Sequence, residues 1–123
     1  MTINEAISKI DNLKPNDYTT ANKIEWLSTL DGLIKNEIID THEGSDGVTF
    51  NGYTVDTPGD TALLVSAPYD DIYIHWLESR IDYANAEYAK YNNSVTRFND
   101  SFLSFGKYYN RTKMPIGTDI KYL

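Results

Sequence analysis

Ile74, Leu77, Ile81, Ala84, Tyr88, Tyr91, Val95, Phe98, Phe102, Phe105 and Tyr109 are separated alternately by three and four residues without a slip. A strand would need alternation by two, so this pattern predicts helix and places every one of these side chains on a single stripe. Asn92-Asn93-Ser94 does not shift the phase. The expectation is one continuous helix from near Ala67 to Tyr109, about 42 residues and roughly 63 Å long at 1.5 Å per residue. A helical hairpin turning at Asn93 is the alternative. Pro68 suits the first helical turn, and Asp70 and Asp71 suit the positive end of the helix dipole.

Tyr69, Tyr73, Trp76 and Tyr83 fall on another stripe of the same helix, about 110° from the first. A helix apolar over so wide an arc needs cover on more than one side. These four residues are therefore expected to anchor contacts between subunits, the competing reading being that both stripes are simply core. Tyrosine is unusually frequent, at 10 of 123 residues, and it favours interfaces because an apolar ring carries a polar tip.

Two shorter helices precede this one. Thr2 and Glu5 form a capping box, Ile3, Ala6, Ile7, Ile10 and Leu13 recur at helical spacing, and Pro15 stops the helix. A second helix is expected from about Tyr18 to Asp40, capped by Asn16-Asp17, with Ile24, Leu27, Leu30, Ile34 and Ile38 facing the core. Gly32 inside it costs about 1 kcal/mol relative to Ala. Between helices, "VTFNGYTV" carries a hairpin signal, two β-prone arms around Asn51-Gly52. A β-hairpin insertion at about 44–60 is expected to turn Phe50, Asn51, Gly52 and Tyr53 toward a neighbour or a channel. Asp56-Thr57-Pro58-Gly59-Asp60 is a further turn, and Leu63, Leu64 and Val65 return to the core. The fold class expected is mainly α: a helical bundle of two N-terminal helices, the hairpin insertion and one long C-terminal helix, making a single domain over 1–111.

The segment 112–123 reads as an extended C-terminal docking tail. Pro115 and Gly117 end helical propagation, and Ile116, Thr118, Ile120 and Tyr122 alternate with polar residues. A lone strand needs an edge to join. Pro115, Ile116, Ile120, Tyr122 and Leu123 are therefore expected to dock on another protein or a neighbouring subunit.

No catalytic chemistry stands out. Cysteine is absent, which removes disulfides, thiolate nucleophiles and Cys-based zinc sites. No G-x-S-x-G, G-x-G-x-x-G or Walker pattern occurs. Asp71, His75 and Glu78 share a helical face, but a metal site needs a matching partner, and His42, the other histidine, lies in a loop. Asp46, Asp56 and Asp60 lack EF-hand spacing. The N-x-[ST] matches at Asn92, Asn99 and Asn110 carry no weight without a secretory signal, and none is visible at the N-terminus. No cofactor is expected. No stretch approaches the roughly 18 apolar residues that span a bilayer. The net charge of −7 argues against gripping nucleic acid through its phosphates.

"LKPNDYTTANKIEWLSTLDGLIKNEIIDTHEG", "FNGY" and "APYDDIYIHWLESRIDYANAEYAKYNNSVTRFNDSFLSFGKYYNRTKMP" together resemble a small structural protein of tailed bacteriophages and prophages of Gram-positive bacteria. The resemblance covers most of residues 12–115, and "YDDIYIHWLESRIDYANAEYAKYNNS" with "FNDSF…YYNRTKMP" is its most specific part. In size and helical layout the chain is also similar to head–tail connector adaptors, the head-completion proteins of long-tailed phages. That resemblance implies a ring of about twelve copies of a closed cyclic type, docked beneath the portal protein and meeting a stopper or tail-completion protein. Double-stranded DNA would pass through its channel without specific binding. It implies location at the head–tail interface of the virion, and in the host cytoplasm during assembly. A different virion, tail-completion or assembly role, or a cytoplasmic helical interaction module, are the alternatives.

Overall fold

The computed structural model describes residues 1–116. Its elements are α1 (Ile3–Leu13), α2 (Thr20–Ile34), a π-helical turn (Lys35–Ile39), a 3-10 turn (Ser45–Gly47), α3 (Ile72–Ala84) and α4 (Tyr88–Thr112). The chain is mainly helical, as expected, and the described residues contain no sheet, only isolated antiparallel bridges at Thr2–Ala62 and His42–Pro115.

α1 forms where the capping box predicts it. Glu5 N donates to Thr2 Oγ1 at 3.2 Å and Thr2 N donates to Glu5 Oε1 at 3.0 Å. Ile3, Ala6, Ile7 and Ile10 form its buried face. Thr19, rather than Asn16-Asp17, caps α2 by accepting from Asn22 N at 3.1 Å. Asn16 Oδ1 instead takes Tyr18 N at 3.1 Å, so the asparagine closes a local turn ahead of the cap. Ile24, Leu27, Leu30, Ile34 and Ile38 are all buried, as the periodicity requires.

The single long helix does not form, and the chain does not turn at Asn93 either. α3 ends at Ala84 and α4 begins at Tyr88. Ala86 adopts φ 57°, while its N–H donates to Tyr83 O and Glu87 N donates to Asp82 O. Those two bonds around a left-handed residue make a Schellman terminus. α4 then runs back along α3, with Trp76 against Phe98, and Tyr69 against Phe105 and Tyr108. The unbroken heptad is compatible with this reversal, because each arm of a helical hairpin also needs an apolar stripe toward the other. At the bend itself Ala84 and Tyr88 are exposed. The start also moves: turns at Ser66–Tyr69 and Tyr69–Ile72 precede α3, so Ala67 and Pro68 lie outside it.

α3 packs against α1, α2 and α4, and α4 also meets the π turn. α1 runs parallel to α3: the Met1 ammonium lies 3.6 Å from Asp70, and Lys14 pairs with Asp82. α2 is antiparallel, with Trp76 Nε1 donating to Trp26 O at 2.7 Å and Tyr18 Oη donating to Asn85 Oδ1 at 2.6 Å. The bundle therefore has a turn end, at Lys14, Tyr18 and Asn85, and a loop end, at Met1, Asp70, His42 and Tyr109.

The expected β-hairpin is also absent. Gly52 takes φ 89°, as an Asn-Gly turn asks, but the flanking arms do not pair. Their partners come from α2: Tyr53 N donates to Ser28 Oγ at 3.0 Å, and Tyr53 Oη donates to Asp31 Oδ2 at 2.5 Å. With its donors taken by a helix, the segment crosses the bundle as a strap.

Candidate interaction surfaces

The aromatic side chains divide between core and surface. Tyr73 is fully buried; its hydroxyl donates to Asp31 Oδ1 at 2.7 Å and accepts from Val65 N at 2.7 Å. Trp76 is buried between Trp26 and Phe98. Neither has surface left for a neighbour, so both belong to the core of one chain and depart from the expected interface stripe. For Trp76 the reversal at Ala86 supplies the cover, bringing Phe98 of α4 over it, whereas Tyr73 is held by Asp31 of α2 and by Val65.

Tyr69 is half-buried and stacks on Tyr108 with centroids 4.6 Å apart. It lines a cleft of about 180 Å³ with Ile39, Val48, Leu64, Phe105, Tyr108 and Tyr109. Tyr83 is 56% exposed and Tyr88 58%, packed edge to face at the turn end. Arg80 lies over this cluster, 4.4 Å from the Trp76 ring, 5.9 Å from Tyr83 and 5.8 Å from Tyr91. Of the four stripe residues, Tyr83 alone is exposed.

Asp31 is the polar centre that the sequence reading missed. It is fully buried and accepts from Tyr53 Oη, Tyr73 Oη and Leu64 N, the last at 3.1 Å. Burial pushes its carboxyl above the usual range, against those three donors. Burial and the adjacent Asp31 charge likewise push both phenols upward. One carboxylate thus joins α2, the strap and α3. A signal existed: Asp31 follows Ile24 by seven residues and Leu27 by four, on the buried face.

The strap residues expected to face a channel or neighbour are split. Tyr53 and Phe50 are half-buried and packed edge to face, 4.9 Å apart, while Asn51 and Gly52 are exposed. At the tail, Glu43 N donates to Met114 O and Ile116 N donates to Thr41 O, both at 2.8 Å. Pro115 thus forms an isolated bridge with the turn at His42 of its own chain, a buried residue whose ring nitrogens lie 2.6 Å from Ile38 O and 2.6 Å from Asn110 Oδ1. Met114 and Ile116 remain 55% and 61% exposed. Ile120, Tyr122 and Leu123 lie outside the described residues.

α4 answers to two environments. Ser94, Phe98 and Phe105 are buried, whereas Asn92, Asn93, Thr96, Asn99 and Ser104 face solvent with Leu103 at 60% exposure. Of the residues with metal-ligand spacing, His75 lies 3.7 Å from Asp71, and Glu78 is taken by Arg97. Among the described residues no group of three metal-ligating side chains forms. No described helix is long and apolar enough to cross a membrane. No protein-family model, curated protein or solved structure matches the chain.

Proposed function

We propose that the chain is a non-enzymatic virion structural protein, a head–tail connector adaptor whose copies form a ring under the portal and extend the DNA channel toward the tail. The observation that carries this reading is a coincidence in the chain. The stretches with the most specific resemblance to phage structural proteins, residues 69–94 and 98–115, are those that build the α3–α4 hairpin. That hairpin also presents the exposed Tyr83, Tyr88 and Leu103. Side chains of this kind favour protein contact, since aromatic and aliphatic anchors within a polar rim are what interfaces bury. Met114 and Ile116 would meet the portal through their exposed side chains, and the stopper or tail-completion protein would meet the opposite rim. The net charge of −7 suits a channel through which the DNA phosphates slide.

Electron microscopy of virions, and of heads loaded with purified protein, tests the reading. A ring of about twelve copies between portal and tail, of closed cyclic symmetry, is expected. Protein that never enters portal-bearing heads, and is missing from virions, overturns it.

A further inference from the structure

Charge is sorted along this chain. From Asp40 to Asp60 there are five acids and no Lys or Arg, while from Tyr88 to Ile116 there are five cations against Asp100 alone. Lys90 and Arg97 are already occupied by Glu87 and Glu78. Lys107, Arg111 and Lys113 are exposed and have no carboxylate partner among the described residues. Asp46, Asp56 and Asp60 on the strap are equally exposed, with no cationic partner among the described residues.

Each patch also carries an exposed aliphatic side chain. Leu103, 60% exposed, precedes Lys107 by one helical turn, and Val55, 67% exposed, adjoins Asp56. An apolar contact within complementary charge is the usual anatomy of a specific interface. The patches ride on different parts of the bundle. Tyr53 on Ser28 and Asn4 on Gly59 fasten the strap to α2 and α1, whereas α4 packs on α3 and the π turn.

We infer that the basic outer face of α4 at Leu103, Lys107 and Arg111, with Lys113 just past its end, docks on the acidic strap of a second copy at Asp46, Val55, Asp56 and Asp60. The contact is head to tail, so every copy uses one patch on each neighbour, and repetition closes a ring or extends a filament. The inference deepens the connector reading and rests on it, by naming the surfaces through which the ring would form.

The experiment measures mass against concentration by sedimentation for three proteins. These are the wild type, an α4 variant (Lys107→Glu, Arg111→Glu, Lys113→Glu) and a strap variant (Asp46→Lys, Asp56→Lys, Asp60→Lys). Wild-type association is expected to weaken as salt shortens electrostatic range, and each variant alone to associate at least about tenfold more weakly. An equimolar mixture should associate again, because each reversed patch then meets its complement. Circular dichroism checks that the variants fold; if either does not, Leu103→Ser and Val55→Ser, each expected to weaken association on its own, replace the charge variants and the mixture is not scored. Variants that associate as well as the wild type, or a mixture without rescue, overturn the inference. Loading onto portal-bearing heads is scored separately. Rescue in solution by a protein that never enters heads keeps the inference and sinks the connector reading; normal head rings from both variants do the reverse.

Discussion

Ser94 Oγ donates a hydrogen bond to Asp82 Oδ2 at 2.8 Å, between side chains that are both buried. The bond fixes the register at which α4 lies back along α3. The other Asp82 oxygen faces the Lys14 ammonium, so one carboxylate gathers α1, α3 and α4 at the turn end. Ser94→Ala removes the donor and leaves a buried carboxylate oxygen short of a partner. A loss of about 1–3 kcal/mol is expected, read from urea unfolding. A change within error would mean that Lys14 alone satisfies Asp82.

Ala86 holds the left-handed conformation that ends α3, a position that costs a non-glycine residue roughly 1 kcal/mol. Ala86→Gly relieves that strain while adding freedom to the unfolded chain. A net gain of up to about 1 kcal/mol is expected, and Ala86→Val should destabilise. Thermal melting of both variants decides it; stabilisation by valine would rule out the reversal at this residue.

Trp76 and Tyr83 separate core from surface. Trp76→Ala should cost about 3 kcal/mol or more through the cavity it opens beside Phe98 and Trp26. Tyr83→Ala, at a side chain more than half exposed, should change stability by only about 0.5 kcal/mol. Denaturant midpoints of the dilute protein test this, and equal costs would mean that Tyr83 is buried as well.

Asp31 gives stability a pH dependence of known sign. Its carboxyl titrates above the ordinary range because it is buried. As pH rises from about 4, the unfolded chain releases this proton before the folded one does, and stability falls through that window. Asp31→Asn cannot ionise, so its deficit relative to the wild type should narrow with rising pH. Urea midpoints from acid to neutral pH measure the difference, which cancels the other carboxylates. A constant offset would place Asp31 in contact with water.

The elements legible in the sequence were those whose local chemistry and tertiary role agree. Thr2 with Glu5 wrote the start of α1, and the Ile24-to-Ile38 stripe wrote the buried face of α2 and of the π turn that follows it. The bend between α3 and α4 was hidden because its left-handed position is filled by alanine, the best helix former, where glycine or asparagine is usual. A heptad running in phase across the bend concealed it further. Asn51-Gly52 misled in the opposite direction: its turn chemistry is present in Gly52, but Ser28 and Asp31 claim the donors that a β-hairpin would use. Of the tail, the described Met114 and Ile116 bond to Glu43 and Thr41 of the same chain, a pairing that the alternation of residues 116–122 did not point to.

The reversal at Ala86 also orders events in time. Asp82 and Ser94 are 12 residues apart and Glu78 and Arg97 are 19 apart, whereas Tyr18–Asn85 and His42–Asn110 bridge 67 and 68 residues. Closing the shorter loops sacrifices less chain entropy, so the α3–α4 arm is the natural nucleus, onto which α1 and α2 condense. That nucleus follows α1 and α2 in the chain, so it leaves the ribosome after them. Those two helices therefore wait, without their central partner, until α3 and α4 have been made. During that interval Ile24, Leu27 and Leu30, all buried in the finished bundle, face water, and this is when the nascent chain is most exposed to chaperones and to aggregation.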